Sequence, residues 1–339
     1  MRFADNRNKI GKYIPAVVFL IFIYGMALWF IFSPKPDYSS SEKRYLQKFP
    51  EVTAEKLLSG DFGSEFETFF ADRFPQRNTW VGLNAYTALA VGNNGTSGVY
   101  NCKNGYLINK PVSTENNLDK NIVAVADFAK SIDTPTTVML VPSTGYIVDD
   151  VLPTFHDKYN DDEDISKISS TLSKDKIGFV DLRERFKSEY KNGSQLYYKT
   201  DHHWTTKGAY TGYQELCKAL GVTPIDDSTL KKDSYPDFYG TTYSSSGFWL
   251  TPPDNIEIWN NPKNSDRNIS VKITEGANIK TSGSMYFTDH LKEDDKYPVF
   301  IDGNHALTEI TNTNAKNGTI LLIKDSFSHS LAPFLAENY

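Results

Sequence analysis

The chain has 339 residues, 36 Lys and Arg against 42 Asp and Glu, and a formal net charge of −6. Its length allows one large domain with additions or two modest ones. A mildly acidic chain with no basic run among aromatics beyond its N-terminus argues against nucleic acid as a partner. The two cysteines, Cys102 and Cys217, lack metal-ligand spacing and read as buried free thiols rather than a disulfide framework.

Residues 1–12 are a basic tail, with Arg2, Arg7, Lys9 and Lys12 against Asp5. An uncharged apolar run follows from Tyr13 to Phe32. At about 1.5 Å per residue it is long enough to cross a hydrocarbon core of about 30 Å. The positive-inside rule then puts the N-terminus in the cytoplasm. A signal peptide also begins with a basic region. This run is longer than the usual signal core, however, and Ser33-Pro34-Lys35-Pro36 offers no small-residue cleavage site. The expectation is an uncleaved single-pass anchor in the cell membrane over 13–33, with the rest of the chain extracytoplasmic.

Residues 34–95 begin as a Pro/Ser-rich linker. Leu57, Leu58, Phe62, Phe66, Phe69 and Phe70 then recur at three- and four-residue steps. That spacing predicts short amphipathic helices broken near Gly60-Asp61 and at Pro75, and a further helix over Trp80 to Ala90. From residue 96 to 339 the pattern becomes that of an α/β domain. Val99 to Cys102 and Tyr106 to Ile108 form a hairpin around Asn104-Gly105, residues that tolerate the positive φ of a type I′ turn. Helices are predicted over Asn117 to Ile132, Ile165 to Lys174 and Arg183 to Tyr190. Buried parallel strands are predicted over Thr136 to Val141 and Ile177 to Leu182. Asp161, Asp162, Glu163 and Asp164 read as a solvated loop.

Gln195 to Lys199 reads as a strand end and Lys207 to Leu220 as a helix capped by Thr205 or Thr206, so Asp201-His202-His203-Trp204 lies in the loop between them. A carboxylate two residues from an imidazole can fix its tautomer and stabilise its protonated form, as two members of a Ser-His-Asp triad do. It is equally at home as a helix-start acid beside ordinary loop histidines. About 224–299 reads as a β-rich insertion. Its Tyr243, Phe248 and Trp249 suit stacking on sugar rings, or form the insertion's own core. A short strand is predicted over Tyr297 to Ile301, followed by a turn at Gly303-Asn304. Gly318 to Ile323 then reads as a buried strand running into Lys324-Asp325-Ser326, with a helix over Leu331 to Ala336. Ser326 therefore stands at a strand-to-helix turn, where a nucleophile elbow presents its hydroxyl and helix N–H groups can meet an oxyanion. A serine there also serves as a plain N-cap.

Taken in order, the anchor, the FPE…SGDF…ADRFPQR region, the VYNCKNGYLI hairpin, the TDHHWTTKGA loop and the IKDSFSHSLAPFLAENY segment resemble the DHHW proteins of the bacterial envelope. Those in turn are similar to the SGNH-hydrolase-like alginate O-acetyltransferases. The resemblance implies a mostly parallel SGNH-like sheet flanked by helices, carrying a β-rich insertion behind a single transmembrane helix. It implies an O-acetyltransferase for an envelope or secreted polysaccharide, with Ser326 as nucleophile, His203 as general base and Asp201 orienting it. No cofactor or metal is implied. His202, Trp204, Tyr198 and Asn304 are the weaker candidates for substrate contact, and a membrane-bound O-acyltransferase is the implied acetyl source. The sequence departs from the pattern in having Lys324 where Gly usually precedes Asp-Ser. It also ends at Tyr339, soon after Ser326, which leads to the expectation of a C-terminally truncated chain. An acetylesterase of the same fold, a non-catalytic glycan-binding module and a two-metal phosphoesterase are the competing readings. The last needs further Asp/His clusters that the sequence does not place at strand ends.

Overall fold

The computed structural model describes residues 2–112 and 117–339. They fall into two compact units divided between Asn84 and Ala85. In the first unit, α1 (Arg2–Phe32) contains the whole apolar run. Its side chains from residue 13 onward are mostly exposed, and Phe30 near its end is partly covered by Phe70. β1 (Tyr38–Ser39) and β2 (Arg44–Tyr45) pair antiparallel. Thr53 then caps α2 (Ala54–Ser59), its hydroxyl accepting from Lys56 N at 3.2 Å. Gly60 ends that helix at φ 86° and α3 (Asp61–Asp72) follows; α4 (Arg77–Ala90) starts beyond Pro75 and runs through the boundary between the units. Both helix breaks fall where the sequence puts them.

The second unit opens with β3 (Gly95–Thr96), β4 (Val99–Asn101) and β5 (Leu107–Asn109), an antiparallel sheet. Its turn holds Asn104 at φ 58° and Gly105 at φ 78°, the left-handed pair expected of Asn-Gly. Next come α5 (Leu118–Ser131), β6 (Thr137–Leu140), the one-turn α6 (Thr144–Ile147), α7 (Asp161–Lys174), β7 (Gly178–Asp181), α8 (Arg183–Lys191) and α9 (Thr206–Leu220). β6 and β7 pair in parallel, Val138 opposite Phe179. The acids 161–164 are the first turn of α7 rather than a loop. Carboxylates are favoured at a helix N-terminus, and Asp161 is buried with its carboxylate accepting from Ser143 N at 2.6 Å. Thr205 caps α9, accepting from Gly208 N at 3.1 Å.

Beyond α9 the structure is mainly antiparallel. β8 (Lys231–Phe238) pairs with β9 (Asp254–Asn260), on either side of the short α10 (Thr241–Ser246). β10 (Ile269–Glu275) lies between β11 (Asn278–Ser282) and β12 (Leu307–Asn312). Ile269, Val271 and Ile273 of β10 are buried and alternate with exposed Ser270 and Lys272, the period-two pattern of a strand with one wet face. The short α11 (Ala332–Leu335) closes the chain.

The fold is mixed α/β, but parallel pairing among the described residues is confined to β6 and β7, less than the mostly parallel sheet expected. Residues 318–323 enter no strand pair. Leu322 packs on the core while Leu321 and Ile323 are exposed. An apolar β-branched run shows what a segment suits, not which neighbour will take its backbone bonds. Residues 297–301 are likewise not a strand: Tyr297–Val299 is a 3-10 turn, and only Phe300 bridges, to Tyr286.

Two cores meet at the DHHW loop. One gathers Phe186, Tyr197, Trp204, Tyr213 and Phe334; the other gathers Tyr198, Phe238, Val271, Tyr286, Tyr297 and Phe300. Neighbouring Tyr197 and Tyr198 enter opposite cores, as successive residues of an extended chain do. The residues that follow are thereby held at the seam.

Candidate active site

Tyr197 bridges Trp204, Tyr198 N donates to His203 O at 3.2 Å and Thr205 N donates to Leu196 O at 2.8 Å. Residues 199–202 are thus the tip of a closed loop. Its approach is fixed by Asp254, the first residue of β9 and 5% exposed. That carboxylate accepts from Lys199 N at 2.9 Å, Thr200 N at 2.8 Å, Thr200 Oγ1 at 2.7 Å and Gln195 Nε2 at 3.1 Å. Burial raises the Asp254 pKa, and the donors around it pull the other way.

Asp201 is 2% exposed. Its Oδ1 accepts from His203 N at 2.9 Å and faces His203 Nδ1 at 2.5 Å, while Oδ2 accepts from Thr241 N at 2.7 Å and Thr241 Oγ1 at 3.0 Å. Burial alone would raise its pKa. The bond to His203, the two neighbouring histidines and the Thr241 amide reverse that and hold it below the usual carboxylate range. An ionised carboxylate only accepts, so His203 Nδ1 carries the proton shared with it. Nε2 is left facing Ser326 Oγ at 2.7 Å. Gly240 makes this approach possible, because a Cβ there would meet the Asp201 Cβ at 2.0 Å.

The His203 ring is enclosed. Tyr297 stacks on it at 4.0 Å and 11° between planes, His202 lies at 3.9 Å and Phe327 at 5.0 Å. Tyr297 Oη also donates to Ser326 O at 3.1 Å. Ser326 opens a 3-10 turn, Ser326–His329, rather than a regular helix, and Asp325 caps it by accepting from Phe327 N at 3.0 Å. One N–H expected to be open for an oxyanion is therefore used within the turn.

The weaker candidates divide. His202 lies beside the pair, half-buried, its Nδ1 2.6 Å from Thr241 Oγ1. Burial, against the pull of Asp201, lowers its pKa and keeps it neutral at pH 7. Trp204 and Tyr198 are fully buried. Trp204 Nε1 donates to Phe327 O at 2.8 Å and Ser330 Oγ at 2.9 Å, so the indole ties the loop to the Ser326 turn and has no surface to offer a ligand. Asn304 is exposed, and its Oδ1 lies 3.0 Å from His329 Nε2. Phe248, expected as a stacking surface, is also fully buried, with Val99 and Leu107.

Asp201, His202 and His203 also offer ligand atoms within 4.8 Å of one another. Here both His203 nitrogens and His202 Nδ1 already have protein partners. As arranged, Ser326 Oγ, the two His203 nitrogens and the Asp201 carboxylate form one continuous hydrogen-bonded run. Sequence reasoning missed Thr241, Gly240, Asp254 and Tyr297, which lie 39 or more residues from Asp201 and carry no motif of their own.

The DHHW protein family matches residues 88–339. A crystal structure of a DHHW family protein from Eubacterium siraeum is similar over 72% of this chain and 80% of its own, at 19% identity and a TM-score of 0.59. PatB1 of Bacillus cereus is similar over 70% of this chain and 83% of its own, at 21% identity and a TM-score of 0.59. A second PatB1 structure, with a sulfonyl adduct, gives 21% identity, coverage of 70% and 82%, and a TM-score of 0.58. At these identities the likeness is one of fold. A search of curated proteins finds no match.

Proposed function

The chain belongs to the DHHW family, and from that premise we propose that it is an O-acetyltransferase acting on an envelope or secreted polysaccharide through an acyl-enzyme on Ser326. The reading rests on one observation, the unbroken run from Asp201 through His203 to Ser326, with contacts of 2.5 and 2.7 Å. Ser326 Oγ bonds to the carbonyl carbon of an acetyl ester as its proton passes to His203 Nε2. Asp201, ionised and buried, stabilises the imidazolium. His203 then returns the proton to the leaving oxygen, which departs with the electron pair of the broken C–O bond. A sugar hydroxyl repeats the exchange, giving its proton to His203, taking the acetyl group and releasing Ser326 reprotonated. Water as acceptor would make the same site an esterase.

Support for a sugar acceptor comes from α10. Thr241, which holds Asp201, stands two residues from Tyr243. The Tyr243 ring lies 4.2 Å from Tyr239 and 5.1 Å from Trp249, and all three are partly exposed. Grouped aromatic faces suit the C–H faces of a pyranose. The SGNH-like assignment belongs to the same proposal, as does retention of 13–32 as an anchor that keeps the enzyme at the outer face of the membrane.

The test uses the full chain in detergent with 4-nitrophenyl acetate. Release of nitrophenol accelerated by an added oligosaccharide, with ester appearing on the sugar, supports transfer. Release that ignores the sugar supports the esterase. Release unchanged in Ser326→Ala rejects both.

A further inference from the structure

We infer that the aromatic stripe of α3, with Phe49 against it, lies in the outer headgroup region of the bilayer that α1 crosses. This rests on reading residues 13–32 as a retained span. Phe62, Phe66, Phe69 and Phe70 recur at i, i+4, i+7 and i+8, one face of the helix. Phe49 packs across them, 6.0 Å from Phe66 and 5.4 Å from Phe69. The cluster is not closed over: Phe49, Phe66 and Phe70 remain 58%, 40% and 42% exposed. A contiguous exposed apolar patch of this kind marks an interaction surface.

The position of α3 identifies its partner. The Phe70 ring lies 4.6 Å from that of Phe30, and Phe69 lies 6.2 Å from it. Phe30 is two residues from the end of the apolar run, about 3 Å along the helix axis. Phe70 therefore lies at the depth where the span leaves the hydrocarbon. Arg73, 5% exposed, fixes that depth by donating to Lys35 O at 2.7 Å, Gln47 O at 3.1 Å and Asp37 Oδ1 at 3.0 Å. Arg44 reinforces it with two bonds to Asp72, at 2.9 and 2.5 Å. Lys35 donates to Ser33 O at 3.0 Å and lies over the Phe30 ring, as a cation at the interface does. The polar side of α3 is acidic, with Asp61, Glu65 and Glu67. Attachment is therefore by apolar insertion, and anionic lipid should not strengthen it.

The test places the full chain in phosphatidylcholine vesicles with a nitroxide at Phe49→Cys, Phe66→Cys, Glu67→Cys or Val18→Cys. Cys102 and Cys217, both buried, are left in place. Oxygen should reach labels 49 and 66 better than a nickel chelate does, with the order reversed at 67. If label 18 is lipid-protected while 66 is as open to nickel as 67, the inference is overturned and the anchor stands. If label 18 is open to nickel, the anchor fails and the inference with it. Protection at 66 that appears only with a second membrane protein present also overturns it. The unsubstituted chain provides a second arm, with a diazirine-bearing phospholipid in the vesicles. Crosslinks should fall between residues 49 and 70 as well as in the span, and crosslinks confined to the span would contradict the inference.

Discussion

Tyr297 covers His203 and holds Ser326 at once: its ring lies flat on the imidazole at 4.0 Å while its hydroxyl donates to the serine carbonyl at 3.1 Å. The two functions separate by substitution. Tyr297→Phe keeps the stack and loses the bond, so acyl transfer should fall modestly, in line with about 1 kcal/mol for a neutral hydrogen bond. Tyr297→Ala loses both and should fall further. Equal rates for the two variants would show that the stack contributes nothing.

Asp201→Asn keeps the size of the side chain and removes its charge. The amide can donate where the carboxylate only accepts, so it permits the imidazole tautomer that turns a protonated Nε2 toward Ser326. The rate should drop by roughly 10³–10⁴-fold with little change in the far-ultraviolet spectrum. A loss below tenfold would remove Asp201 from the mechanism.

Asp254→Asn tests how the loop is held. Every group around that carboxylate is a donor, so an amide turns its NH₂ toward N–H groups in either orientation. Unfolding in urea should show a loss of about 1–3 kcal/mol, and activity should fall because the Lys199–Asp201 backbone is released. Gly240→Ala presses on the same loop from the other side, with its Cβ 2.3 Å from Asp201 Oδ2. It should cost activity before it costs secondary structure, as circular dichroism and turnover would show together.

Burial, with Lys324 and the other histidines nearby, lowers the His329 pKa to about 3. The unfolded chain titrates this group near 6.5, so between about 3 and 6.5 the unfolded state binds the extra proton. The contribution of neutral His329 to stability is present above pH 6.5 and is lost as pH falls toward 3. His329→Gln should narrow the gap in thermal midpoint between pH 7 and pH 4.5. An unchanged gap would mean that other groups carry the acid sensitivity.

Local signals in the sequence were sound at the turns and caps, though the acids 161–164, read as a loop, start α7. The Asn104-Gly105 turn, the Thr205 cap and the breaks at Gly60 and Pro75 are set by neighbouring residues, and each appears where its chemistry places it. Asp201, His203 and Ser326 were legible because an acid two residues from a histidine, and a serine after an apolar run, are short-range patterns. The structure brings the two segments together across 123 residues. What could not be read was partnership. Residues 318–323 have the composition of a buried strand but pair with none among those described, and a hydropathy pattern does not name a neighbour. Trp204 and Tyr198 flank the histidines yet point into the two cores: Trp204 sits opposite Tyr197 across the loop, and Tyr198, the next residue along, turns to the other side. Thr241 and Asp254 reach the loop through space alone.

The most direct test maps acetyl and sulfonyl adducts by mass spectrometry. The full chain is treated with 4-nitrophenyl acetate or an aryl sulfonyl fluoride, beside Ser326→Ala and His203→Ala. The account predicts a covalent group on Ser326, absent from Ser326→Ala and strongly diminished in His203→Ala. Labelling of Ser326 that is unaffected by His203→Ala, or no adduct on Ser326 in a folded chain, would contradict it.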